Sequence, residues 1–422
     1  MKYNLVRGTK DVLPGESVKW QYLTRKASAV YSAFGYSEIK TPVFEVTELF
    51  TRGIGETSDI VTKEMYTFPD KKGRSITLRP EGTAGTVRAY IENNLNALPA
   101  PVKLFYIGPM FRYERPQAGR YREHWQMGVE AFGSDSPALD AEVISTALTL
   151  LKELGATGLK TNLNSIGCMS PDCRPRYIAA LKDFLKSRSE KLCDTCKVRL
   201  EKNPLRILDC KVESCKSVFS EPGIPKILDH ICPSCAAHFE KVIDYLKLAK
   251  ADYSVNDKLV RGFDYYTKTV FEITCDKLGA QNGVLGGGRY NGLVEELGGQ
   301  PTPAVGFSVG VERLLLALET MGIKLPADDS PDIYLVTLGE AALEKAFVLA
   351  GELRSAGIKT VMACEDKSMK TQMRLADALK AKTAVIIGDN ELKDGVAVVK
   401  DMATGNQQKV ALNELKRHFS KT

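Results

Sequence analysis

The chain has 422 residues, 44% of them apolar and 26% charged, and a formal net charge of +6. That is the make-up of an ordinary globular protein with room for two or three cores, and it excludes disordered and fibrous classes. No apolar run approaches the length of a bilayer, the opening MKYNLVRGTK has no signal-peptide core, and a cytoplasmic location without membrane contact is therefore expected. In chain order, Val18, Leu23, Ala27, Val30 and Phe34 recur at helical spacing, which predicts an amphipathic helix over 17–34 stopped by Gly35. Ser37 to Val46 reads as a strand interrupted at Pro42, the pattern of an edge or an interface. Residues 60–80, 103–132 and 269–310 alternate or are rich in aromatics, with Gly and Pro between runs, and predict one large antiparallel sheet. Residues 136–255 between them read as mostly helical. The segment from Cys168 to Cys235 holds eight of the ten cysteines and reads as an insertion at about 165–250. Gly322 to Pro331 reads as a linker. Beyond it, strands are predicted at Ile333–Leu338, Thr360–Cys364, Ala384–Gly388 and Val396–Lys400. Helices near 340–356 and 368–381 alternate with them, which makes a small α/β unit.

The chemistry concentrates in Phe111–Glu130, FRYERPQAGRYREHWQMGVE, where arginines and glutamates crowd together. Pro116 and Gly119 forbid a continuous helix, so the stretch is predicted to run strand, loop, strand. Arg112 and Glu114 would then share one strand face, and Gln126, Gly128 and Glu130 another, with Gly128 leaving room for a ligand to lie flat. Guanidinium forks suit phosphate oxygens and carboxylates suit an ammonium, so the ligand implied is anionic at one end and amine-bearing at the other. No GxxxxGK[ST] loop is present, so a phosphate site must come from side chains, with Arg112, Arg120, Arg261 and Arg313 as candidates. Glu81, Thr83, Gln126 and Glu130 can accept from an ammonium or an imidazole N–H.

The same stretch resembles motif 2 of the class II aminoacyl-tRNA synthetases, in the form found in the histidyl-tRNA synthetases. Leu78–Thr83 (LRPEGT) resembles that family's amino-acid-binding turn. Leu259–Tyr266 (LVRGFDYY) and Gly286–Leu293 (GGGRYNGL) resemble its two histidine-specific elements, and Gly306–Leu314 (GFSVGVERL) resembles motif 3. The helix, strand and Pro42 unit resembles motif 1, which builds a dimer interface. The resemblance implies an α+β catalytic domain over 1–325, built on a large antiparallel sheet flanked by helices and carrying the helical insertion, followed by an α/β anticodon-binding domain over 331–422. It implies a homodimer that uses histidine, ATP with magnesium, and tRNA(His).

Residue by residue, the resemblance assigns Arg112 to the α-phosphate, Arg120 and Arg313 to the β and γ end, and Glu114 to the ATP site. Arg261 would face the α-phosphate from the opposite side and also border the histidine. Glu81 and Gln126 would hold the α-amino group beside Thr83. Glu130 and Tyr266 would read the imidazole, with Tyr265 and Tyr290 closing the pocket. His124 stands where the family has a phenylalanine expected to stack on adenine, which makes ATP affinity pH-dependent in expectation. The threonyl and prolyl relatives conflict with RGFDYY and GGGRYNG. A non-catalytic, histidine-sensing regulatory paralogue of ATP phosphoribosyltransferase is the alternative, set back by the retained arginines and the extra domain.

The insertion cysteines form four pairs, Cys168/Cys173, Cys193/Cys196, Cys210/Cys215 and Cys232/Cys235. CxxC pairs are the spacing of structural zinc. Spacing does not say which pairs share a site; the grouping taken is Cys193, Cys196, Cys232 and Cys235 as the candidate zinc site, with Cys168, Cys173, Cys210 and Cys215 as a second candidate. Loss of zinc is expected to unfold the insertion without touching the site motifs. The C-terminal stretch carries 14 basic and 12 acidic residues over 331–422. Any tRNA affinity there is expected from local groups such as Lys367, Lys370, Arg374, Lys380 and Lys382.

Overall fold

A computed structural model describes residues 3–420 apart from 56, 57, 59, 280, 281, 327 and 366. It divides into two compact units, Met1–Pro326 and Ala327–Thr422.

The first unit is organised by an eight-stranded sheet. In spatial order its strands are Ser37–Glu38, Val102–Phe111, Glu123–Phe132, Ala304–Gly310, Gly283–Arg289, Thr267–Thr274, Lys160–Ser165 and Ser254–Val255. The interior pairs are antiparallel, as alternation predicts, and a parallel pair sits at each edge. The expected strand across Pro42 is instead two short strands in different sheets, Ser37–Glu38 in the large one and Phe44–Val46 in a three-stranded one with Tyr66–Pro69 and Ser75–Leu78. Proline cannot donate to a ladder, so the chain changes sheets there. Residues 60–80 accordingly lie outside the large sheet.

The strand period of two sorts the sheet's side chains. Met127, Val129 and Ala131 face a core with Val305, Phe307, Val309, Phe271 and Ile273. That core is closed by helices Pro14–Ala33, Pro137–Glu153, Pro233–Leu248 and Val311–Thr320. The first helix begins with Pro at its first turn and stops at Gly35, whose φ of 80° suits a residue without Cβ. Burying this face leaves Gln126, Gly128 and Glu130 on the opposite one. A second apolar cluster covers that opposite face. It joins insertion residues Tyr177, Leu181, Leu200, Ile207 and Phe219 to Tyr265, Tyr266 and Tyr290. The insertion is thus continuous with the wall of the candidate site.

The second unit has a five-stranded sheet ordered Thr360–Met362, Ile333–Thr337, Thr383–Ile387, Val396–Asp401 and Gln407–Ala411, with helices Glu340–Ser355 and Met369–Ala378 where they are predicted. The last strand and the short helices Asp389–Asp394 and Leu415–Phe419 are additions to the prediction. Gln407–Ala411 opens with three exposed polar residues at a sheet edge and turns apolar only at Val410 and Ala411, so it lacks the alternation that would reveal it.

Candidate functional site

Ligand-facing positions on four central strands form a floor of very small residues. Across the strands the pairing runs Gly128–Ser308–Gly286–Glu272, and beside it Glu130–Gly306–Gly288–Val270. Gly128 was expected to leave space for a ligand. Instead, a Cβ there would come within 2.5 Å of the Tyr106 ring, so the protein's own tyrosine lies in that space. A Cβ on Gly306 would strike the Glu130 carboxylate at 2.0 Å, and one on Gly286 would strike the Arg261 guanidinium at 2.3 Å. The glycines let these side chains lie flat on the sheet.

At one end of the floor, two carboxylates are buried side by side in function. Glu81 follows strand Ser75–Leu78 and accepts from the backbone N–H groups of Thr83 at 2.6 Å and Ala84 at 2.8 Å, which caps helix Thr83–Glu92. Thr83 Oγ1 in turn donates to Glu130 Oε1 at 2.7 Å, so one threonine links both acids. Tyr106 donates to Glu130 Oε1 at 3.4 Å and the Tyr290 hydroxyl donates to Oε2. Burial pushes the Glu130 carboxyl up to about 8 against the pull of these donors, with the nearby Glu81 adding to the rise. Glu81 is raised as well, chiefly by burial, which its two backbone N–H donors oppose. Tyr265, Tyr266 and Tyr290 close round them, with ring centroids 4.7 Å and 5.5 Å from Tyr265. Among the described residues neither acid has a cation in ion-pair contact, so the pocket favours a ligand that brings a cation or a further N–H donor.

At the other end is a cavity of about 230 Å³, lined by Arg112, Glu114, Arg120, His124, Gln126, Arg261 and Arg313 among others. Six of the predicted residues besides Arg261 therefore meet in one cleft. The geometry behind them differs from expectation in one place. The strand ends at Phe111, so Arg112 and Glu114 do not share a strand face; they sit in a tight loop where the Glu114 N–H donates to the Arg112 carbonyl at 2.8 Å. Arg112 Nε is held by the Pro80 carbonyl at 2.8 Å, its guanidinium over the Phe263 ring at 5.6 Å. Arg120 pairs with Glu114 at 3.5 Å. Arg313 enters from the first turn of helix Val311–Thr320 and donates to the Gly283 carbonyl at 3.1 Å. Arg261 pairs with Glu272 at 2.9 Å.

Four buried polar atoms of residues that line this cleft find no hydrogen-bond partner among the described residues: His124 Nδ1, Gln126 Oε1, Arg261 Nε and Arg313 Nη2. Buried polar atoms are normally satisfied, so a cleft that leaves four open is shaped for a polar occupant. Glu114, Glu272 and Glu312 line the same cavity and offer the oxygen ligands that magnesium takes. Burial, then the neighbouring Arg112, hold the His124 ring down at about 3. The ring is neutral at working pH, which corrects the expectation that its charge would tune ATP binding. Tyr106, Phe263, Glu272 and Glu312 were not singled out from sequence. Phe263 and Glu312 lie within the quoted LVRGFDYY and GFSVGVERL motifs, and Tyr106 is an aromatic six residues before Arg112 on the predicted strand, while its register with Gly128 is a property of the fold.

The cysteines fall into two four-thiol groups, but not the predicted ones. Cys168, Cys173, Cys232 and Cys235 form one, and Cys193, Cys196, Cys210 and Cys215 the other, with sulfurs within 4.8 Å of one another in each. Each joins one CxxxxC pair to one CxxC pair. Helices Arg174–Lys186 and Pro233–Leu248 start together at the first group, which brings their flanking pairs into contact. Sequence spacing does not encode that meeting.

Known proteins match this chain over nearly its whole length. The family model described as histidyl-tRNA synthetase matches residues 8–314, and that of an anticodon binding domain matches 332–422. A curated histidine–tRNA ligase of Halothermothrix orenii is 55% identical over 98% of both chains, and one of Pelotomaculum thermopropionicum is 53% identical over 96% of this chain and 95% of its own. The chain belongs to the histidyl-tRNA synthetase family. The crystal structure of the apo Staphylococcus aureus histidyl-tRNA synthetase superposes with a TM-score of 0.83 at 38% identity, covering 99% of this chain and all of that one. The fold is therefore that of the class II synthetases, and the chain is an aminoacyl-tRNA ligase by family. A Bacillus halodurans structure titled as an ATP phosphoribosyltransferase regulatory subunit/histidyl-tRNA synthetase shares the fold at 21% identity, and the regulatory reading gains nothing further from it. Among the described residues no helix is long and apolar enough to cross a membrane.

Proposed function

We propose that the cleft makes histidyl-adenylate from histidine and ATP, the first half of the histidine–tRNA ligase reaction that the family carries out. The observation that carries this is the pairing of ends on one glycine floor, with two buried acids joined by Thr83 at one end and four arginines at the other. Glu81 and Gln126 take the α-ammonium, and Glu130, held by Thr83, Tyr106 and Tyr290, takes the imidazole N–H. An analogue without that N–H would forgo this bond and leave Glu130 with only the hydroxyls of Thr83, Tyr106 and Tyr290, which is the basis of its rejection. The histidine carboxylate oxygen attacks the α-phosphorus, the bond to pyrophosphate breaks, and charge builds on the equatorial oxygens between Arg112 and Arg261. Arg120 and Arg313 hold the leaving end. Magnesium, when bound with ATP, neutralises phosphate charge. No side chain of the protein becomes covalently bonded; catalysis is positioning and charge stabilisation. A ribose hydroxyl at the tRNA end then attacks the histidyl carbonyl and AMP leaves.

The second unit binds the anticodon in this reading. Lys370, Arg374, Lys380 and Lys382 are exposed there, while Lys382 is paired with Asp332 at 2.8 Å and Lys367 with Glu365 at 3.4 Å. The working form is a cytoplasmic homodimer. Its support is a set of apolar residues left exposed around the three-stranded sheet: Val43, Phe44, Val46 and Phe68. Each four-cysteine group holds a structural zinc. A Zn–S bond of about 2.3 Å puts tetrahedral ligand sulfurs about 3.8 Å apart, and Cys168–Cys232 and Cys193–Cys210 each stand at 3.9 Å. ATP–pyrophosphate exchange across the twenty amino acids tests the central reading, and histidine alone is expected to support it. Exchange with threonine or proline, or with none of the twenty, overturns it.

A further inference from the structure

The two cysteine groups flank the loop that carries Arg261, Tyr265 and Tyr266. This loop, 259–266, runs between strands without regular structure. What fixes it is largely side chains rooted in the insertion. Arg174, directly after Cys173, is buried and donates from Nη2 to the Tyr266 carbonyl at 2.5 Å and to the Gly167 carbonyl at 3.0 Å, with Nε on the Ile166 carbonyl at 2.9 Å. Gly167 lies against the first group so closely that a Cβ would meet Cys173 Sγ at 2.7 Å. On the other side, the turn Asn203–Ile207 hangs between Cys196 and Cys210 of the second group. Asn203 Nδ2 donates to Asp264 Oδ1 at 2.8 Å, and Arg206 Nη1 donates to the Arg261 carbonyl at 2.9 Å. One cysteine group thus holds the loop at its Tyr266 end and the other at its Arg261 end. The apolar cluster shared by the insertion and the site tyrosines fills the space between.

Resting on the zinc assignment above, we infer that the two four-cysteine groups are positioning devices for the 261–266 loop, so that loss of their metal slows histidine activation itself. This reverses the expectation that the insertion could unfold without touching the site motifs. Without metal, four inward-facing thiols have no common bond to hold them, and the turns that carry Arg174, Asn203 and Arg206 lose their fixed ends. Arg261 and Tyr266 keep their identity and lose their aim. Arg174, Asn203 and Arg206 act through the loop and are positioning residues.

The test uses the full chain purified under reducing conditions. Elemental analysis should give two zinc equivalents, and cobalt(II) exchanged into the protein should show the visible bands of tetrahedral thiolate coordination at both sites. Metal is then stripped, the chelator removed and magnesium restored. Hydrogen exchange of the 259–268 amides should rise, whichever amino acid the protein activates, and kcat for histidine-dependent pyrophosphate exchange should fall by about 10- to 100-fold, as for loss of outer-shell support. Arg206→Ala keeps every cysteine, so it should retain both zinc ions and its melting temperature within a few degrees while losing kcat by about 10-fold, and Arg206→Lys should recover part of it. Cys210→Ser should hold one zinc and show the larger defect; if it fails to fold, Arg206→Ala and Asn203→Ala carry the test. Fewer than a tenth of a zinc equivalent overturns both the zinc assignment and this inference. Two zinc equivalents with unchanged loop exchange after stripping, and wild-type kcat in Arg206→Ala, overturn the inference alone.

Discussion

Gly286→Ala should disable activation without weakening the fold. Gly286 sits in strand Gly283–Arg289 with partners on both sides, and its φ is outside the left-handed range, so alanine meets no backbone obstacle. The obstacle is Arg261. The added methyl would lie 2.3 Å from Nη2, 2.4 Å from Nη1 and 2.5 Å from Cζ, where ordinary contact begins near 3.4 Å. The guanidinium must therefore withdraw by about 1 Å, and a misplacement of that size costs on the order of 100-fold in rate. It also strains the 2.9 Å pair with Glu272 that fixes the fork's direction. Arg261→Ala, which deletes the donor, should cost about 100- to 1,000-fold. Alanine in place of glycine in a strand is otherwise favourable by about 0.5–1 kcal/mol, so the melting temperature of Gly286→Ala should not fall by more than the repulsion at one flexible side chain. The assay is histidine-dependent ATP–pyrophosphate exchange, read as kcat and KM beside a thermal melt. Exchange within threefold of wild type would show that Arg261 does not need to lie on the floor, and the assignment of its role would go with it.

Three further outcomes follow from the pocket's electrostatics and the exposed small sheet. The Glu130 carboxyl rises to about 8 in the ligand-free protein, so the folded state binds a proton the unfolded chain has released; that stabilisation is complete below the unfolded carboxyl's pKa and is lost as pH rises through about 8. Melting temperature should therefore decline from about pH 4.5 to about 8 and level off above that, less steeply in Glu130→Gln; Glu312, pushed up to about 7 by burial, keeps the slope from vanishing. Identical slopes in the two proteins would put the titration elsewhere. With His124 held neutral down to about 3, ATP affinity corrected for ATP's own protonation should follow one pH profile between about 5.5 and 8 in wild type and His124→Phe, any slope coming from Glu312 in the same cavity; a wild-type transition near pH 6 that vanishes in His124→Phe would refute it. Phe44→Glu should shift sedimentation toward the monomer, and an unmoved dimer would place the interface away from the three-stranded sheet.

Much of this site was legible because the motifs carry chemistry at fixed positions. Arg112, Arg120, His124, Gln126, Arg261 and Arg313 line one cleft, and Glu81, Thr83 and Glu130 are joined by hydrogen bonds. Period-two alternation placed Gln126, Gly128 and Glu130 on one face because the opposite positions are Met127, Val129 and Ala131, which only a core accepts. The same rule failed at Arg112 and Glu114, since the strand ends one residue earlier and alternation says nothing of where a strand stops. The cysteine pairing failed for a related reason: like spacings were joined, whereas the fold joins unlike ones where two helix starts converge.

The glycines show what lay beyond reach of the sequence and why. A glycine in a strand signals a close approach, and at Gly128, Gly286 and Gly306 the group that approaches is a side chain of the protein and not a ligand, against the expectation stated for Gly128. What approaches could not be read, because it depends on cross-strand register: Tyr106 lies over Gly128, and Arg261 reaches Gly286 from a loop outside the sheet. The protein fills most of its own floor with the groups that do the work, and the ligand is received above them. Each glycine thereby fixes the height of one functional side chain over the sheet. A methyl at any of the three raises that group by about an ångström, a distance to which hydrogen bonds and in-line attack are far more sensitive than folding is. The floor is thus specified by function more tightly than by stability, which is why composition and propensity alone, reading these strands as glycine-weakened, point away from a surface on which Tyr106, Arg261 and Glu130 are set.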